Sequence, residues 1–242
     1  MDRSSGMARV MANLTEHHVV RYDRYGYGRS RGDRPPAGID GHVEDLLALV
    51  EGHASPGERA VVVGHSYGGV VALAAGCREP DVVAAVGAFE APLSWLPWWP
   101  DTTAGAAAVA AARRVDDPAA AADAFLRRML GDDRWEAMPA RARRDRRAEG
   151  PALVAELGAL RSEPAPFDLA ALPVPVVAGH GTRSGDHQQR AARELAASAG
   201  TSAIVIDGAH HGAHLSHPKA FADFVWAVVE LAEGGGRAAG GT

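Results

Sequence analysis

Cysteine is almost missing from this chain. Cys77 is the single one in 242 residues, so no internal disulfide can form and nothing points to an oxidising compartment. Long apolar runs are missing as well, none approaching the ~20 residues of a membrane span. The opening stretch from Met1 to Gly6 lacks the apolar core of a secretory leader, which makes the cytoplasm the expected location and excludes a membrane as an expected partner. Nor is there a basic excess: the formal net charge of −5 speaks against nucleic-acid binding, which draws on clustered positive charge. What is present is an apolar fraction of 47% against 23% charged, the balance of a globular protein able to bury a sizeable core. At this length one large domain, or a core carrying an insertion, is expected.

Short β-branched runs alternate with longer alanine-rich stretches. Val19–Tyr22, Ala60–Val63, Val82–Ala88, Val174–Ala178 and Ala203–Ile206 read as buried parallel strands. Between and after them, Val43, Leu46, Leu47 and Val50, then Leu195 with its alanine neighbours, then Phe221, Phe224, Val225 and Val228, recur at helical spacing. Alternation of this kind predicts an α/β fold, a mostly parallel sheet with helices on both faces. The rhythm breaks from about Ser94 to Leu172, where alanines and the charged run Arg141–Arg147 replace strand candidates. Residues 94–172 are therefore expected to form a helical cap inserted into a core of residues 1–93 and 173–233. The glycine-rich tail, 234–242, is expected to be disordered.

Val61-Val62-Val63 runs into Gly64-His65-Ser66-Tyr67-Gly68-Gly69 and then into the helical pattern from Val70 to Ala75. Strand, sharp turn and helix in succession force the turn serine into strained dihedrals and demand small residues two positions either side of it. Such a turn lifts the Ser66 hydroxyl to the carboxyl end of the sheet and aims the Tyr67 N–H at a developing oxyanion.

On these residues the chain resembles the α/β-hydrolase superfamily. Tyr22-Asp23-Arg24-Tyr25-Gly26-Tyr27-Gly28-Arg29-Ser30 is similar to the family's strand-end loop ahead of the nucleophile. Leu172–Gly179 resembles the strand after the cap, and Gly208–Pro218 resembles the histidine loop. The resemblance implies a serine nucleophile, Ser66, an acid and a histidine, in that chain order. Of the four histidines in the loop, it registers His211 as the base, with His210 one position away as the runner-up. His-His-x-x-His-x-x-His also resembles metal-ligand spacing, but carboxylate or cysteine co-ligands at a usual interval are lacking, so no metal is expected. His214 and His217 read as solvated or hydrogen-bonded loop residues, and Cys77 as a small buried apolar one.

The acid has two candidates. In most of the family it lies three residues beyond a glycine past the post-cap strand; counting from Gly179 reaches Thr182, which carries no charge. Asp186 follows four residues on, directly before a helical pattern, where aspartate is a favoured N-cap. Glu90 ends the strand after the nucleophile's helix, and some relatives, haloalkane dehalogenases among them, keep their acid there. Carboxyl ends of parallel strands open on one crevice, so Glu90 is preferred and Asp186 kept as the alternative. Asp23 fits a loop-ordering role, and Asp207 lies too close to the histidine loop to reach round.

The resemblance also implies a strand ending in His-Gly before the helix at Ser4–Leu14, and nothing corresponds to it. The expectation is a natural start upstream of Met1, by roughly 25–35 residues on ordinary strand and turn lengths. That loop would supply a second oxyanion donor. Trp95, Trp98 and Trp99 open the cap between prolines and are candidates for an apolar substrate pocket or for cap packing. The arginine run reads as a solvated helix face.

The expected function is hydrolysis of a small, fairly apolar ester, lactone or related carbonyl compound through an acyl-enzyme, with no cofactor. A serine at position 66 argues against the dehalogenase and epoxide-hydrolase chemistry of the superfamily, which needs a carboxylate nucleophile. A non-catalytic ligand-binding or scaffold protein on the same fold is the alternative. Acyl transfer or perhydrolysis, with another nucleophile replacing water, is a further one.

Overall fold

The computed structural model of the protein describes residues 3–32, 37–115, 117–162 and 164–239. Four apolar runs too short and too uniform to show a helical stripe become strands. They are β1 (Ala60–His65), β2 (Val83–Phe89), β3 (Val176–Gly181) and β4 (Ile204–Ile206). All pair in parallel in the order β1-β2-β3-β4. Helices α1 (Ala8–Met11) and α2 (Ile39–His53) precede β1, and α3 (Tyr67–Arg78) joins β1 to β2. Between β2 and β3 lie α4 (Ala104–Val115), α5 (Pro118–Leu130), α6 (Asp132–Ala137), α7 (Ala140–Arg147) and α8 (Gly150–Ser162). Then α9 (Asp186–Ser198) leads to β4, and α10 (Ala213–Ser216) and α11 (Pro218–Ala239) follow it. Among the described residues no helix is long and apolar enough to cross a membrane.

The chain divides into two compact units. The sheet unit takes Ser5–Arg21, Val43–Leu93 and Ala165–Thr242. Its strands bury both faces because successive residues point to opposite layers: Val86 lies against Gly76 of α3, whereas the neighbouring Gly87 lies against Val228 of α11. On the α11 side, Val10 and Leu14 join Phe89, Val177, Phe221, Phe224 and Val228 in one core cluster. Helices α3 and α9 pack on β1, β2 and β3.

Val19–Tyr22 does not form a strand. Among the described residues β1 pairs on its β2 side alone, so the segment finds no ladder neighbour, and β-branched residues without cross-strand partners do not hold a strand. At the other end, the helix continues through the glycine run to Ala239, where an unstructured tail from Gly234 is expected. Extending a helix already docked by Phe221, Phe224 and Val228 adds a hydrogen bond per residue and avoids a new nucleus. Residues 240–242 of that tail lie outside the described residues.

The helical unit takes Tyr22–His42 and Ser94–Pro164 with the residues up to Ser4. It thus holds the loop Tyr22–Ser30, while Ala165–Leu172 goes with the sheet unit. It buries the charge of Glu156 on α8, which accepts from Arg24 (3.0 Å) and from the Tyr27 hydroxyl (2.7 Å) and lies 3.0 Å from His42 Nε2. Burial pushes the Glu156 carboxyl up, but the Arg24 charge and the His42 contact outweigh it and bring it down to about 2. Asp23 orders its loop by accepting from the backbone N–H of Ser4 (2.6 Å) and Arg29 (2.9 Å). No arginine of α7 is buried, as their charge density demands, yet three of the five are paired: Arg147 with Asp123, Arg143 with Glu136 and Arg146 with Glu149.

Candidate active site

Parallel register brings the ends of β1 and β2 level, His65 opposite Phe89, and sets Phe89 opposite Gly179, two residues before the end of β3. The ladder then runs one residue further. Ser66 N–H donates to the Phe89 carbonyl (2.9 Å), and Glu90 N–H donates to the Gly179 carbonyl (2.9 Å). Ser66 and Glu90 therefore emerge side by side at the carboxyl end of the sheet. Among the described residues they are also the two non-glycine positions with positive φ, 54° and 50°. Each such conformation costs about 1–3 kcal/mol and persists only where its surroundings over-determine it.

The turn at Ser66 is closed by contact. A Cβ on Gly64 would overlap the backbone carbonyl of Gly68, so strand and helix approach this tightly only with glycine there. Helix α3 begins at Tyr67, and the first N–H groups of a helix have no partner within it. The Tyr67 N–H stands at that helix start, directly after the serine.

Glu90 is buried, 1% exposed. Its Oε1 accepts from Gly181 N–H (2.9 Å) and from the Ser184 hydroxyl (2.5 Å), and its Oε2 lies 2.5 Å from His211 Nδ1. Burial pushes the carboxyl up, but His211, Ser184 and Gly181 together outweigh it and hold it below the ordinary carboxylate value. The carboxylate oxygen of Glu90 that faces His211 is an acceptor, and the ring nitrogen it meets is Nδ1.

His211 is held at two further points. Its carbonyl accepts from His65 Nε2–H (2.6 Å), with the two rings 4.5 Å apart, which ties the histidine loop to the residue preceding Ser66. Its Nδ1 also lies 2.7 Å from Gln188 Nε2 of α9, while Gln188 Oε1 accepts from Gly185 N–H (3.0 Å). The neighbouring His187 imidazole is pushed down by burial and by His211.

The other loop histidines diverge. His210 Nδ1 donates to the Arg183 carbonyl (2.8 Å), and His217 Nδ1 lies 2.9 Å from the Ser216 hydroxyl. His214 is not a solvated loop residue: it is 2% exposed, its ring 4.6 Å from His65 and 6.0 Å from Phe221, because α10 turns it into the aromatic cluster. Cys77 is half-buried rather than buried, its thiol pushed up by burial and by the Asp168 charge.

Asp186 is not the cap of its helix. Gly185 holds the N-cap position, Gln188 closes the capping box onto it, and Asp186 follows in the first turn. Trp95, Trp98 and Trp99 belong to the helical unit, each partly buried, with the Trp98 and Trp99 rings 5.8 Å apart.

Sequence reasoning missed Ser184, Gln188 and His65. For Ser184 a signal existed. Strand β3 runs to Gly181, not Gly179, and three residues beyond Gly181 stands Ser184. The position where the resemblance seeks an acid holds a hydroxyl, and that hydroxyl grips the carboxylate of Glu90. Nothing local marks Gln188 or His65 as neighbours of His211, since both contacts join segments distant in sequence.

A model described as the alpha/beta hydrolase family matches residues 4–224. Lipase LipV of Mycobacterium tuberculosis is 38% identical over 78 residues, which are 32% of this chain and 29% of the lipase, so the match spans under a third of that relative. The enol-lactonase from Burkholderia xenovorans superposes with a TM-score of 0.71 at 24% identity, covering 94% of this chain and 87% of the other. A thermophilic esterase from Thermogutta terrifontis gives 0.73 at 18% identity, covering 95% and 86%. At such identities these two share the fold.

Proposed function

The chain belongs to the alpha/beta hydrolase family, and from that premise we propose that it is a serine hydrolase of small, fairly apolar esters or lactones, acting through an acyl-enzyme. The observation that carries this reading is the pairing of buried Glu90 with His211 Nδ1 beside a strained serine at the same sheet end. A carboxylate so placed has a definite use: it keeps the proton on Nδ1 and stabilises the imidazolium that forms when Nε2 takes up a second one.

The steps follow from those roles. Ser66 Oγ bonds to the carbonyl carbon of the substrate as its proton passes to His211 Nε2. The electron pair displaced onto the carbonyl oxygen is met by the Tyr67 N–H at the start of α3. As the intermediate collapses, the bond to the leaving oxygen breaks and His211 returns the proton to it. Water then attacks the acyl-enzyme by the same route, giving the acid and freeing Ser66. A lipase, an enol-lactonase and an esterase among the similar proteins favour a carbonyl substrate of this class.

A fluorophosphonate probe, which phosphonylates activated serines, tests the reading. Labelling of the whole protein at Ser66, absent in Ser66→Ala, together with p-nitrophenyl ester hydrolysis lost by at least about a thousandfold, is the expected result. No labelling of the folded protein would reverse the assignment.

A further inference from the structure

His211 Nδ1 has two close polar neighbours that ask opposite things of it. Glu90 Oε2, at 2.5 Å, is an acceptor and needs a proton on Nδ1. Gln188 Nε2, at 2.7 Å, is a donor and needs a lone pair there. The Gln188 amide is not idle to turn over, because its Oε1 already accepts from Gly185 N–H in the capping box of α9. Turning it would face an amide NH2 against that N–H and leave the first turn of α9 with an unmade hydrogen bond.

We propose that Gln188 is a positioning residue that biases the tautomer of His211 against Glu90, so that the base is competent only while position 90 holds a charge. The inference rests on the Ser66–His211–Glu90 reading above. Its physical core is a contest between two hydrogen bonds. A hydrogen bond to an ionised partner is roughly twice as strong as one between neutral groups, so Glu90 prevails in the native protein and Nδ1 carries the proton. Take away the charge and the contest reverses. Gln188 then donates to Nδ1, the ring proton sits on Nε2, and the nitrogen that must accept from Ser66 is blocked.

The same geometry makes position 188 a second seat for the carboxylate. Glutamate there keeps one oxygen for Gly185 N–H and turns the other to Nδ1, without disturbing the cap. The experiment is a charge relocation in the full-length protein, reading ester hydrolysis and the imidazole nitrogen NMR shifts of His211, which distinguish Nδ1–H from Nε2–H. Glu90→Gln is isosteric and retains an oxygen for Gly181 and Ser184. It is expected to lower kcat/KM by about ten-thousandfold, the scale of a wrong-tautomer loss in a serine triad. The shifts are expected to move to Nε2–H, because the amide introduced at position 90 and Gln188 then both donate to Nδ1. Glu90→Ala, which leaves no donor at position 90, is expected to show the same Nε2–H shifts with Gln188 present and to lose that bias when Gln188→Leu is added. Adding Gln188→Glu to Glu90→Gln is expected to regain at least about a hundredfold and to return the proton to Nδ1, a spectroscopic change that general repacking would not produce.

A double variant no faster than Glu90→Gln, with its proton still on Nε2, overturns the inference and leaves the triad reading intact. Full activity in Glu90→Gln alone overturns the assignment of Glu90 instead. The spectra report folding in each variant.

Discussion

Backbone strain among the described non-glycine residues falls at two adjacent places. Ser66 and Glu90 adopt positive φ although each carries a β-carbon, and the two stand at adjacent strand ends. For Ser66 the strain lifts a hydroxyl out of a turn. For Glu90 it turns a carboxylate inward, where a backbone N–H and a hydroxyl grip one oxygen and His211 meets the other. Asp186 has no comparable anchoring: it sits in the first turn of α9, where a carboxylate gains about 0.3–1 kcal/mol from the helix dipole. The two acids are therefore separable. Glu90→Gln should abolish most ester hydrolysis, whereas Asp186→Asn should stay within about fivefold of the parent, since a helix-dipole term of this size acts on stability and not on the reacting groups. Steady-state kinetics on the pair checks this, and the opposite ranking would move the acid to α9.

At the scale of elements, the β1–α3 turn is a join closed by backbone against backbone. Gly64 leaves no room for a methyl group because the Gly68 backbone occupies the space, and backbone cannot swing aside as a side chain can. Gly52, near the end of α2, has nothing within 4 Å of the corresponding position. The same substitution should then have opposite signs. Gly64→Ala is expected to destabilise by about 3 kcal/mol, the upper range for overpacking, and to lose activity with it. Gly52→Ala should stabilise by about 0.5–1 kcal/mol through helix propensity and a less flexible unfolded chain. Urea unfolding of the two variants measures both. The other elements depend less on single atoms: α11 docks by a stripe of Phe221, Phe224 and Val228, which is why its periodicity could be recognised without coordinates.

At the scale of the whole molecule, the helical unit has a charged centre where the sheet unit has an aromatic one. Glu156 holds Arg24, Tyr27 and His42 to α8 from a segment more than a hundred residues earlier. Its carboxyl is lowered from 4.5 to about 2, so the folded state releases the proton more readily than the unfolded chain does. The linked stability is fully present above about pH 4.5 and is lost as the pH falls towards about 2. Glu156→Gln removes the buried charge that the largely buried Arg24 meets and is expected to cost about 3–5 kcal/mol. It should also flatten the acid sensitivity of Tyr22–His42 and α8. Hydrogen exchange of those segments between neutral pH and pH 3 measures the effect, and an unchanged acid response in the variant would assign the sensitivity elsewhere.

Position along the chain was enough to locate Ser66 and the four strands that formed, because a buried strand, a glycine-flanked serine and a helical stripe are all written in neighbouring residues. It also gives the ground for preferring Glu90 to Asp186, since the end of a parallel strand is a place that alternation predicts. The strand expected at Val19–Tyr22 failed because a strand is a property of pairs, and its own residues cannot supply the neighbour. Ser184, Gln188 and His65 became meaningful only when folding set them against Glu90 and His211 across separations of 23 to 146 residues. Local sequence encodes what a segment can become. Which hydrogen bond an imidazole finally makes is settled by groups that meet only after the sheet has closed its ranks.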